Sequence, residues 1–443
     1  MIEDKIISKG ILNLVLNESV TILNGIPRDS TAFDVYLASY FRAHQKRYGK
    51  RDRTLIRTIL FSHLRYTLRT EVWFHFLFPH IDVDTHTPLC MSLSLFFNKE
   101  ITFQTLIAFC NESKLTFSTP RMTLLRTRKL PPSCRFKSLH EKLSLMHSFP
   151  EWLVKKWSHT FGKKLTTTLC AFLNHRAPLT IRANTLLVSR NDLKKRLITA
   201  GHTVRSCPLS PAGLFIDSDL SLYNTDEFKK GYFEIQDEGS QLIGYIINPS
   251  HFDYIWDVCA GSGGKTLHCA ALMENKGNII ATDPRKSMIQ ELEKRIQRAG
   301  VTNVHRARLS TNINKQFKTL SADMIIIDAP CSGTGRLRRD PMLRWKLSPM
   351  SIKQHADKNI EILDRYARFL KQFGRLFYCT CSLEEEENEG VVKRFLETHR
   401  DFEAGSFTPH ASFTQKITSH QFRIDPVLFK TDGFFVAVFE KIG

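Results

Sequence analysis

The spacing of hydrophobic positions changes along the chain and divides it into three parts. Up to about residue 140 the apolar residues repeat at helical spacing, as in the stripe over residues 55–60. From about residue 150 to 235, helical patterns alternate with a strand pattern over residues 179–185. The chain therefore predicts an all-helical domain over residues 1–140, followed by a small α+β unit over residues 150–235.

Beyond residue 236 the pattern changes to short apolar strands that alternate with helices. The strands are predicted at residues 254–258, 278–282, 324–327, 375–380 and 433–439. Strands that are apolar at every position are buried on both faces, as in a parallel sheet covered by helices. The sequence therefore predicts an α/β Rossmann-like domain over residues 236–443, with a mostly parallel, doubly wound sheet and an antiparallel final strand.

The composition adds a strong positive charge to this picture. The 443 residues include 63 Lys and Arg against 44 Asp and Glu, which gives a formal net charge of +19. A polyanion such as RNA is the usual partner of so much unbalanced charge, because each neutralised phosphate releases counterions. A generally basic proteome or a gain in solubility would explain the charge without any partner. We predict that the two parts before residue 236 bind RNA.

The sequence lacks the features of secreted, membrane-spanning and zinc-binding proteins. Its first five residues carry two acids, and no run of about 18 apolar residues occurs in it. The ten cysteines include no Cys-x-x-Cys pair. We expect a cytoplasmic monomer with free thiols and without a metal ion.

A glycine-rich turn follows the strand over residues 254–258, and it reads Cys259-Ala260-Gly261-Ser262-Gly263-Gly264-Lys265-Thr266. Glycines let the backbone approach a ligand closely, and the helix that opens after them favours negative groups. Asp283 lies 22 residues after Gly261, about where an acid accepts hydrogen bonds from ribose hydroxyls. These features predict a nucleotide-type cofactor. A P-loop would need glycine in place of Cys259, and an NAD site would give the thiols described next no role.

Two cysteines follow predicted strands at the same edge of the sheet, Cys331 after Asp328-Ala329-Pro330 and Cys381 after Thr380. A single cysteine at a strand end is most often a small buried hydrophobe, but two beside Asp328 predict chemistry. A thiolate that adds to carbon 6 of cytosine makes carbon 5 nucleophilic enough to take a methyl group. A base must then remove the carbon 5 proton. Asp328 is placed to hydrogen-bond the cytosine edge.

Charged and aromatic residues follow both cysteines. Arg336, Arg338, Arg339 and Trp345 are predicted to grip an RNA backbone and to stack beside a splayed base, although a solvated loop would also tolerate them. The acidic run over residues 384–389 is predicted to be mainly the first turn of a helix, where the macrodipole favours carboxylates.

Taken together, these segments resemble the Sun family of RNA cytosine-5 methyltransferases. The resemblance covers about residues 150–443 and rests on Cys259-Ala260-Gly261-Ser262-Gly263-Gly264-Lys265-Thr266, Asp328-Ala329-Pro330-Cys331-Ser332-Gly333-Thr334-Gly335, Arg338-Arg339-Asp340-Pro341, Tyr378-Cys379-Thr380-Cys381-Ser382, Glu234-Ile235-Gln236-Asp237-Glu238-Gly239-Ser240-Gln241 and Asp432-Gly433-Phe434-Phe435. More weakly, two segments resemble the helical NusB-like domain in front of the bacterial members that modify small-subunit ribosomal RNA, and these are Tyr40-Phe41-Arg42 and Lys50-Arg51-Asp52-Arg53.

The resemblance implies S-adenosyl-L-methionine as the methyl donor and a role for each segment. Cys381 would be the nucleophile and Cys331 the group that helps release the product. DNA cytosine methyltransferases, however, use a cysteine that follows proline, as Cys331 does, as their nucleophile. Asp283 would bind the ribose of the donor, and Asp328 would contact both the donor and the base. The methionine end of the donor would lie on Cys259, Ala260, Gly261, Ser262, Gly263, Gly264 and Lys265.

This chain departs from the family pattern in two places. Gly261 and Ser262 replace an Ala-Pro pair, which predicts a more flexible turn. The segment over residues 305–310 offers no acid where the family has an aspartate that contacts adenine, which predicts weaker donor binding.

The sequence therefore predicts an RNA cytosine-5 methyltransferase that uses S-adenosyl-L-methionine. The predicted substrate is 16S ribosomal RNA, presented with the target base unpaired or flipped out. The same chemistry on transfer RNA is one alternative. A non-catalytic RNA-binding or ribosome assembly factor of the same fold is another, although Asp328, Cys331 and Cys381 argue against it.

Overall fold

The computed structural model of the protein describes residues 9–26, 33–113, 115, 117–217, 222–309, 317, 321–413, 417 and 419–442. The first five residues and Ser310, on which predictions are made above, lie outside these ranges. The chain forms two compact units, of which the first is Met1–Arg176 with Leu337–Leu347 and the second is Ala177–Arg336 with Ser348–Gly443.

The first unit is helical, as the front of the chain predicts. Its core is one cluster of aliphatic and aromatic side chains, in which Trp73 and Phe74 are fully enclosed. The helices that precede residue 177 are α1 (Lys9–Asn24), α2 (Phe33–Ala43), α3 (Lys50–Leu77), α4 (Thr87–Phe97), α5 (Phe103–Glu112), α6 (Thr119–Leu124), α7 (Leu139–His147) and α8 (Glu151–Leu173). Within the described part of the chain, no helix combines the length and apolar character needed to cross a bilayer.

A buried histidine makes the first unit sensitive to acid. His63 on α3 is 8% exposed, and burial lowers its pKa from 6.5 to about 4 because the imidazolium would lose its hydration. The folded state favours the neutral ring, so the stability that His63 contributes is present above pH 6.5 and is lost as the pH falls toward 4. When the pH falls from about 7.5 to about 5, the free energy of unfolding should decrease in both proteins. The decrease should be about 2 kcal/mol smaller in the His63→Gln variant than in the parent.

Denaturant unfolding at the two pH values measures this difference. His147 has its pKa lowered to about 4 by burial as well, so both proteins keep some acid sensitivity and only the difference between them is informative. Equal losses in parent and variant would contradict the role of His63.

The segment Leu337–Leu347 follows the Cys331 loop in sequence but packs within the first unit. Arg338 is 3% exposed, and its guanidinium lies 5.1 Å from the centroid of the Phe172 ring. The indole of Trp345 donates a hydrogen bond to the Leu64 carbonyl oxygen (3.2 Å). The prediction that Arg338 faces RNA is therefore wrong, because its charge serves a cation–π contact within the first unit. Trp345 is only partly buried, and its stacking beside a splayed base stays a prediction.

The second unit begins with a four-stranded sheet in the order β2-β3-β1-β4, in which every neighbouring pair is antiparallel. Its strands are β1 (Leu179–Ala183), β2 (Val204–Ser206), β3 (Gly213–Ile216) and β4 (Phe233–Ile235), and two helices accompany them, α9 (Arg190–Thr199) and α10 (Asp226–Lys229). The strand predicted over residues 179–185 is confirmed. Ser189 starts α9 by accepting a hydrogen bond from the backbone N–H of Asp192 (3.1 Å).

The rest of the second unit is built on an eight-stranded sheet in the order β10-β12-β9-β8-β5-β6-β7, with β11 beside β12. The strands are β5 (Tyr254–Asp257), β6 (Asn278–Asp283), β7 (Val304–Arg308), β8 (Ala322–Asp328), β9 (Leu370–Thr380), β10 (Phe402–Ala404), β11 (Gln421–Ile424) and β12 (Phe434–Lys441). The five strands from β9 to β7 are parallel, and β12 is antiparallel to β9. The predicted sheet is confirmed.

The helices between and after these strands are α11 (Glu238–Ile247), α12 (Gly264–Leu272), α13 (Lys286–Ala299), α14 (Leu343–Lys346, within the first unit), α15 (Pro349–Ala367), α16 (Glu389–Thr398) and α17 (Pro426–Phe429). They bury both faces of the central strands. On β8, Ile325 and Ile327 pack in one cluster with α15 and α16, whereas Met324 and Ile326 pack in another with α11 and α12. Successive side chains point to opposite faces of a strand, so strands buried on both faces are apolar throughout.

The strand connections bring the predicted site segments to one edge of the sheet. β5, β6 and β7 run in order toward one side, and β8 and β9 continue on the other side of β5. The strand order therefore reverses between β5 and β8, where doubly wound sheets bind their ligands. Asp257, Asp283, Asp328 and Thr380 are the last residues of β5, β6, β8 and β9.

Candidate active site

The turn after β5 is shaped by two glycines. Gly261 (φ +55°) and Gly263 (φ +91°) adopt left-handed backbone angles that L side chains rarely take. A Cβ on Gly263 would lie 2.3 Å from Leu292 Cδ1, so α13 closes the inner side of the turn. Within 4 Å, a Cβ on Gly261 would meet only the Arg285 guanidinium at 3.9 Å, which leaves the outer side open to a ligand.

The turn leads directly into a helix that favours negative groups. α12 begins at Gly264, and its cap residue Gly263 offers no side chain to the free N–H groups of the first turn. The N–H of Ala260 donates to the Thr282 carbonyl oxygen (3.0 Å), which ties the turn to β6. Burial raises the pKa of the Cys259 thiol, so this residue contributes an uncharged surface. The turn therefore fits the methionine end of the predicted donor.

Ser262 is held in place by an arginine of α13. Arg295 Nη1 donates to the carbonyl oxygen and to Oγ of Ser262 (2.8 Å each). The same guanidinium pairs with the buried Glu234 carboxylate at 2.8 Å, and Arg298 pairs with the other oxygen of Glu234 at 2.6 Å. The turn that the sequence predicts to be more flexible is thus braced through Ser262.

Asp283, the predicted ribose-binding residue, is 1% exposed. Its Oδ1 accepts hydrogen bonds from the backbone N–H and Nε of Arg285 (2.9 Å each), and its Oδ2 accepts from Arg285 Nη2 (2.8 Å) and from the Gly261 N–H (3.1 Å). Burial alone raises the pKa of Asp283, but the bonds from Arg285 outweigh it and the pKa is lowered. Four donors fill the lone-pair directions of a carboxylate, so a ribose hydroxyl can bind only by displacing one of them.

Lys265 and Asp328 form an ion pair with 2.7 Å between Nζ and Oδ2. The Lys265 side chain is 7% exposed, whereas that of Asp328 is 38% exposed. Burial lowers the pKa of Lys265, but the Asp328 carboxylate more than compensates and the pKa is raised. A buried cation therefore holds the Asp328 carboxylate while one side of that carboxylate stays open to a substrate.

Asp257 was not singled out from the sequence, although it ends β5 directly before the turn. It is 1% exposed, and burial raises its pKa to about 7. Its Oδ2 accepts a hydrogen bond from the Thr266 hydroxyl (2.6 Å), whereas Oδ1 has no hydrogen-bond partner among the residues that the structure describes. Position at a strand end was the only signal for it in the sequence.

The structure brings the two predicted cysteines together. Cys331 Sγ lies 3.5 Å from Cys381 Sγ. The hydrogen bond between them lowers the pKa of Cys381 and raises that of Cys331, which burial raises further. Of the two thiols, Cys381 is therefore the one that ionises more readily, because a hydrogen bond from Cys331 stabilises its charged form. This asymmetry suits Cys381 to act as a nucleophile.

Arg336 adds a cation at the same place. It is exposed at the end of the short helix Thr334–Arg336, and its guanidinium hydrogen-bonds Cys381. The Cys381 thiolate raises the pKa of Arg336, and Arg336 helps to lower the pKa of Cys381. The Gly335 N–H donates to the Cys381 carbonyl oxygen (2.9 Å), which holds the two loops side by side. The sequence predicts an RNA contact for Arg336 but gives no sign of its contact with Cys381.

The acidic run after Ser382 differs from its prediction. Glu385–Glu387 form a 3-10 turn, and α16 begins only at Glu389. Glu387 is fully buried, and its carboxylate accepts hydrogen bonds from the hydroxyls of Ser332 and Ser382. The prediction of an acidic first helical turn is therefore wrong for Glu387, because buried donors bind its carboxylate instead of the helix dipole.

Two other cysteines near the site serve packing. Cys379 is fully buried on β9, and Cys269 is fully buried on α12. Burial raises the pKa of both thiols, that of Cys269 to about 12. Both cysteines are therefore small buried hydrophobes.

The end of β7 carries no acid, as the sequence shows. Its last residue, Arg308, donates from Nε to the Pro284 carbonyl oxygen (3.0 Å). Arg308 thus places a positive side chain on β7, which pairs with β6, the strand that ends at Asp283. Within the described residues, no group of three or more His, Cys, Asp or Glu side chains is arranged to hold a metal ion.

The chain matches two family models in regions that include this site. Residues 244–440 match the model described as 16S rRNA methyltransferase RsmB/F. Residues 149–223 match the ferredoxin-like domain described for the same methyltransferases. The first match contains the glycine turn, Asp283, Asp328 and both cysteines of the pair.

Named relatives agree with the family models. A protein named probable ribosomal RNA small subunit methyltransferase B, from Synechocystis sp., is 35% identical over 308 residues, which are 68% of this chain and 69% of that protein. The 28S rRNA (cytosine-C(5))-methyltransferase of Mus musculus is 32% identical over 328 residues, which are 69% of this chain but 40% of that protein.

Solved structures show the same fold. PH0851 aligns with a TM-score of 0.75 and 24% identity, over 98% of this chain and 99% of its own. NSun6 from Pyrococcus horikoshii, solved with the S-adenosyl-L-methionine analogue SFG, aligns with a TM-score of 0.60 and 24% identity, over 67% of this chain and 99% of its own. On its sequence matches and its fold, this chain belongs to the RsmB/F family of 16S rRNA methyltransferases, the Sun family, whose members use S-adenosyl-L-methionine.

Proposed function

We propose that this protein forms 5-methylcytosine in 16S ribosomal RNA through a covalent bond between Cys381 Sγ and carbon 6 of the target cytosine. The observation that carries the proposal is the 3.5 Å contact between Cys331 Sγ and Cys381 Sγ, which lowers the pKa of Cys381. A nucleophilic thiolate is what methylation at carbon 5 requires, because the ring carbon is otherwise a poor nucleophile. The name of the Mus musculus relative, which includes cytosine-C(5), supports the same chemistry.

The first half of the reaction uses Cys381, Arg336 and Asp328. The Cys381 thiolate forms a bond to carbon 6, and the electron pair of the ring double bond moves to carbon 5. Arg336 stabilises the thiolate before it attacks, because its guanidinium hydrogen-bonds the sulfur. Asp328, held by Lys265 at 2.7 Å, hydrogen-bonds the cytosine edge and orients the ring for attack. S-adenosyl-L-methionine, when bound, supplies the electrophilic methyl group that carbon 5 takes up.

The second half of the reaction restores the ring and the enzyme. The proton on carbon 5 passes to a base, its C–H electron pair forms the ring double bond again, and the bond between carbon 6 and sulfur breaks with its electrons on Cys381. Cys331 assists this release, because its S–H donates to the sulfur that regains negative charge. The Cys331 thiol therefore stabilises the departing Cys381 sulfur and does not itself attack the cytosine ring.

We place the donor on the open side of the glycine turn. The N–H groups at the start of α12 favour its carboxylate, and Asp283 is the acceptor for its ribose. The residues assigned to the donor are those of the sequence prediction, namely Cys259, Ala260, Gly261, Ser262, Gly263, Gly264, Lys265, Asp283 and Asp328.

Replacing Arg285 with alanine should tighten donor binding. Arg285 supplies three of the four hydrogen bonds that fill the Asp283 carboxylate, and two of them come from its side chain. The Arg285 side chain is 63% exposed, and an exposed pair of this kind contributes about 0.2–1 kcal/mol, so we expect S-adenosyl-L-homocysteine to bind about two- to fivefold more tightly. Isothermal titration calorimetry measures the affinity.

Arg306→Ala is the matched control for this variant. It also removes one positive charge, here from β7 beside β6. Arg306 pairs with Glu293 and not with Asp283. The control should bind S-adenosyl-L-homocysteine as the parent does. Weaker binding by the Arg285 variant would mean that the guanidinium itself contacts the donor, and would contradict the prediction.

The substrate is tested by incubating the protein with methyl-labelled donor and unmodified 16S ribosomal RNA or transfer RNA, followed by nucleoside analysis. Label in 5-methylcytidine from 16S RNA supports the proposal. Label in 5-methylcytidine from transfer RNA alone supports the same reaction but makes transfer RNA the substrate. Absence of label from both, and from partly assembled small subunits, would overturn the proposal and favour a non-catalytic RNA-binding or assembly factor.

We further propose that the parts before residue 236 present the RNA to a monomeric enzyme. The helical part (residues 1–140, NusB-like) and the small α+β part (150–235) are the two RNA-binding parts of this proposal. The antiparallel sheet β2-β3-β1-β4 and the match to the ferredoxin-like domain over residues 149–223 support a separate small part. Helix α8 clusters with the first compact unit, so it stands at the junction of the two parts.

A further inference from the structure

A single buried carboxylate joins the two loops that carry the cysteines. Glu387 is 0% exposed. Its Oε1 accepts the backbone N–H of Ser332 (2.7 Å), and its Oε2 accepts the Ser332 hydroxyl (2.5 Å) and the Ser382 hydroxyl. Ser332 follows Cys331, and Ser382 follows Cys381. One side chain therefore binds the residue next to each thiol.

The contacts of the neighbouring Asn388 differ in kind. Asn388 Oδ1 accepts the Thr380 hydroxyl (2.6 Å), and its Nδ2 donates to the Ser382 carbonyl oxygen (2.9 Å). Both contacts fall on the Cys381 loop, which Asn388 holds on either side of the cysteine. Glu387 also reaches across to the Cys331 loop, and the hydroxyls of Ser332 and Ser382 meet at 3.1 Å.

We propose that Glu387 is a positioning residue, which keeps Cys331 and Cys381 close enough for one sulfur to hydrogen-bond the other. The thiols sit on loops that follow separate strands, β8 and β9, so their separation depends on the loops as well as on the sheet. Without the carboxylate, three donors lose their acceptor in a dry interior and the loops must rearrange to satisfy them. The assignment of the thiols as reacting groups rests on the proposed function, but the positioning of the two sulfurs does not.

The test compares Glu387→Ala and Glu387→Gln with the parent in the full chain. The readout is the rate of Cys381 alkylation by iodoacetamide as a function of pH, followed by mass analysis of the Cys381 peptide. The hydrogen bond with Cys331 lowers the pKa of Cys381, so loss of that contact should move the alkylation midpoint upward. We expect roughly tenfold slower alkylation near neutral pH for Glu387→Ala. Glu387→Gln keeps the size and an acceptor, and should restore most of the parent rate.

RNA methylation provides the second readout. A displacement of about 1 Å between reacting groups costs on the order of 100-fold in rate, so kcat of Glu387→Ala should fall by about that factor. The KM values for RNA and donor should stay within about twofold, because the Glu387 side chain is fully buried and is not exposed to either ligand. Glu385→Ala is the control, since Glu385 is exposed in the same 3-10 turn.

The outcomes separate this inference from the proposed function. An unchanged alkylation midpoint in a folded Glu387→Ala protein, or an equal shift in Glu385→Ala, overturns the positioning role. Loss of activity in proportion to the folded fraction, with the midpoint unmoved, assigns Glu387 to stability alone and also overturns it. A shifted midpoint in a parent that forms no 5-methylcytidine supports the positioning role while the proposed function fails.

Discussion

Replacing Cys381 with alanine should reduce formation of 5-methylcytidine by at least about 10⁴-fold, because the variant cannot form the bond to carbon 6 that activates the ring. Asp328, Arg336 and the donor site remain, but none of them supplies a nucleophile. The loss should appear in kcat, while binding of S-adenosyl-L-homocysteine stays unchanged. Single-turnover methylation of 16S RNA, or of partly assembled subunits, measures the effect.

Cys379→Ala is the matched control for Cys381→Ala. Cys379 lies two residues earlier on the same chain segment, is fully buried, and has its pKa raised by burial, so its removal deletes a thiol without deleting a thiolate. We expect this control to keep methylation within a few-fold of the parent and to lose only packing stability. A Cys381→Ala protein that methylates at the parental rate would disprove the assignment of the nucleophile.

Replacing Cys331 with alanine should trap the protein on its RNA. The Cys381 thiolate still adds to carbon 6 in this variant, but release loses the S–H donor that stands 3.5 Å from the departing sulfur. Turnover should fall by about 10²- to 10⁴-fold, the usual contribution of a positioned acid or base. An RNA-linked species that survives denaturing gel electrophoresis should accumulate when RNA and donor are both present.

The same gels distinguish the two possible assignments of the cysteines. If Cys331 were the nucleophile, as in the DNA enzymes, Cys331→Ala would give no adduct and Cys381→Ala would give one. The double variant should give no adduct under either assignment, and therefore controls for crosslinks that do not involve these thiols. Absence of any denaturation-resistant species with Cys331→Ala would contradict its role in release.

The positions of five strands and the identity of the site segments could be predicted because both depend on local patterns. Continuous apolar runs on β5, β6, β8 and β9 predict strands buried on both faces, and parallel strands place their carboxyl ends together. Cys331 and Cys381 could therefore be placed at one edge from the sequence. Their separation of 3.5 Å, and which of them is the thiolate, depend on side-chain contacts that the pattern does not contain.

The errors have a common physical cause. The sequence predicts an RNA contact for Arg338 and a place in the first turn of a helix for Glu387, yet both are at most 3% exposed. A charged group can be buried when partners from distant parts of the chain satisfy it, here the Phe172 ring for Arg338 and two serines for Glu387. Sequence spacing does not reveal such partners.

The helical front, the Rossmann-like sheet and the residues at its carboxyl edge follow from the sequence, because burial periodicity and strand-end position are properties of short segments. The hydrogen bonds and pKa shifts of those residues come from tertiary contacts. Arg285 fills the Asp283 carboxylate, Arg295 braces Ser262, and the hydrogen bond with Cys331 lowers the pKa of Cys381. Charge states and hydrogen bonds depend on distances between groups far apart in the chain, and only the folded protein defines those distances.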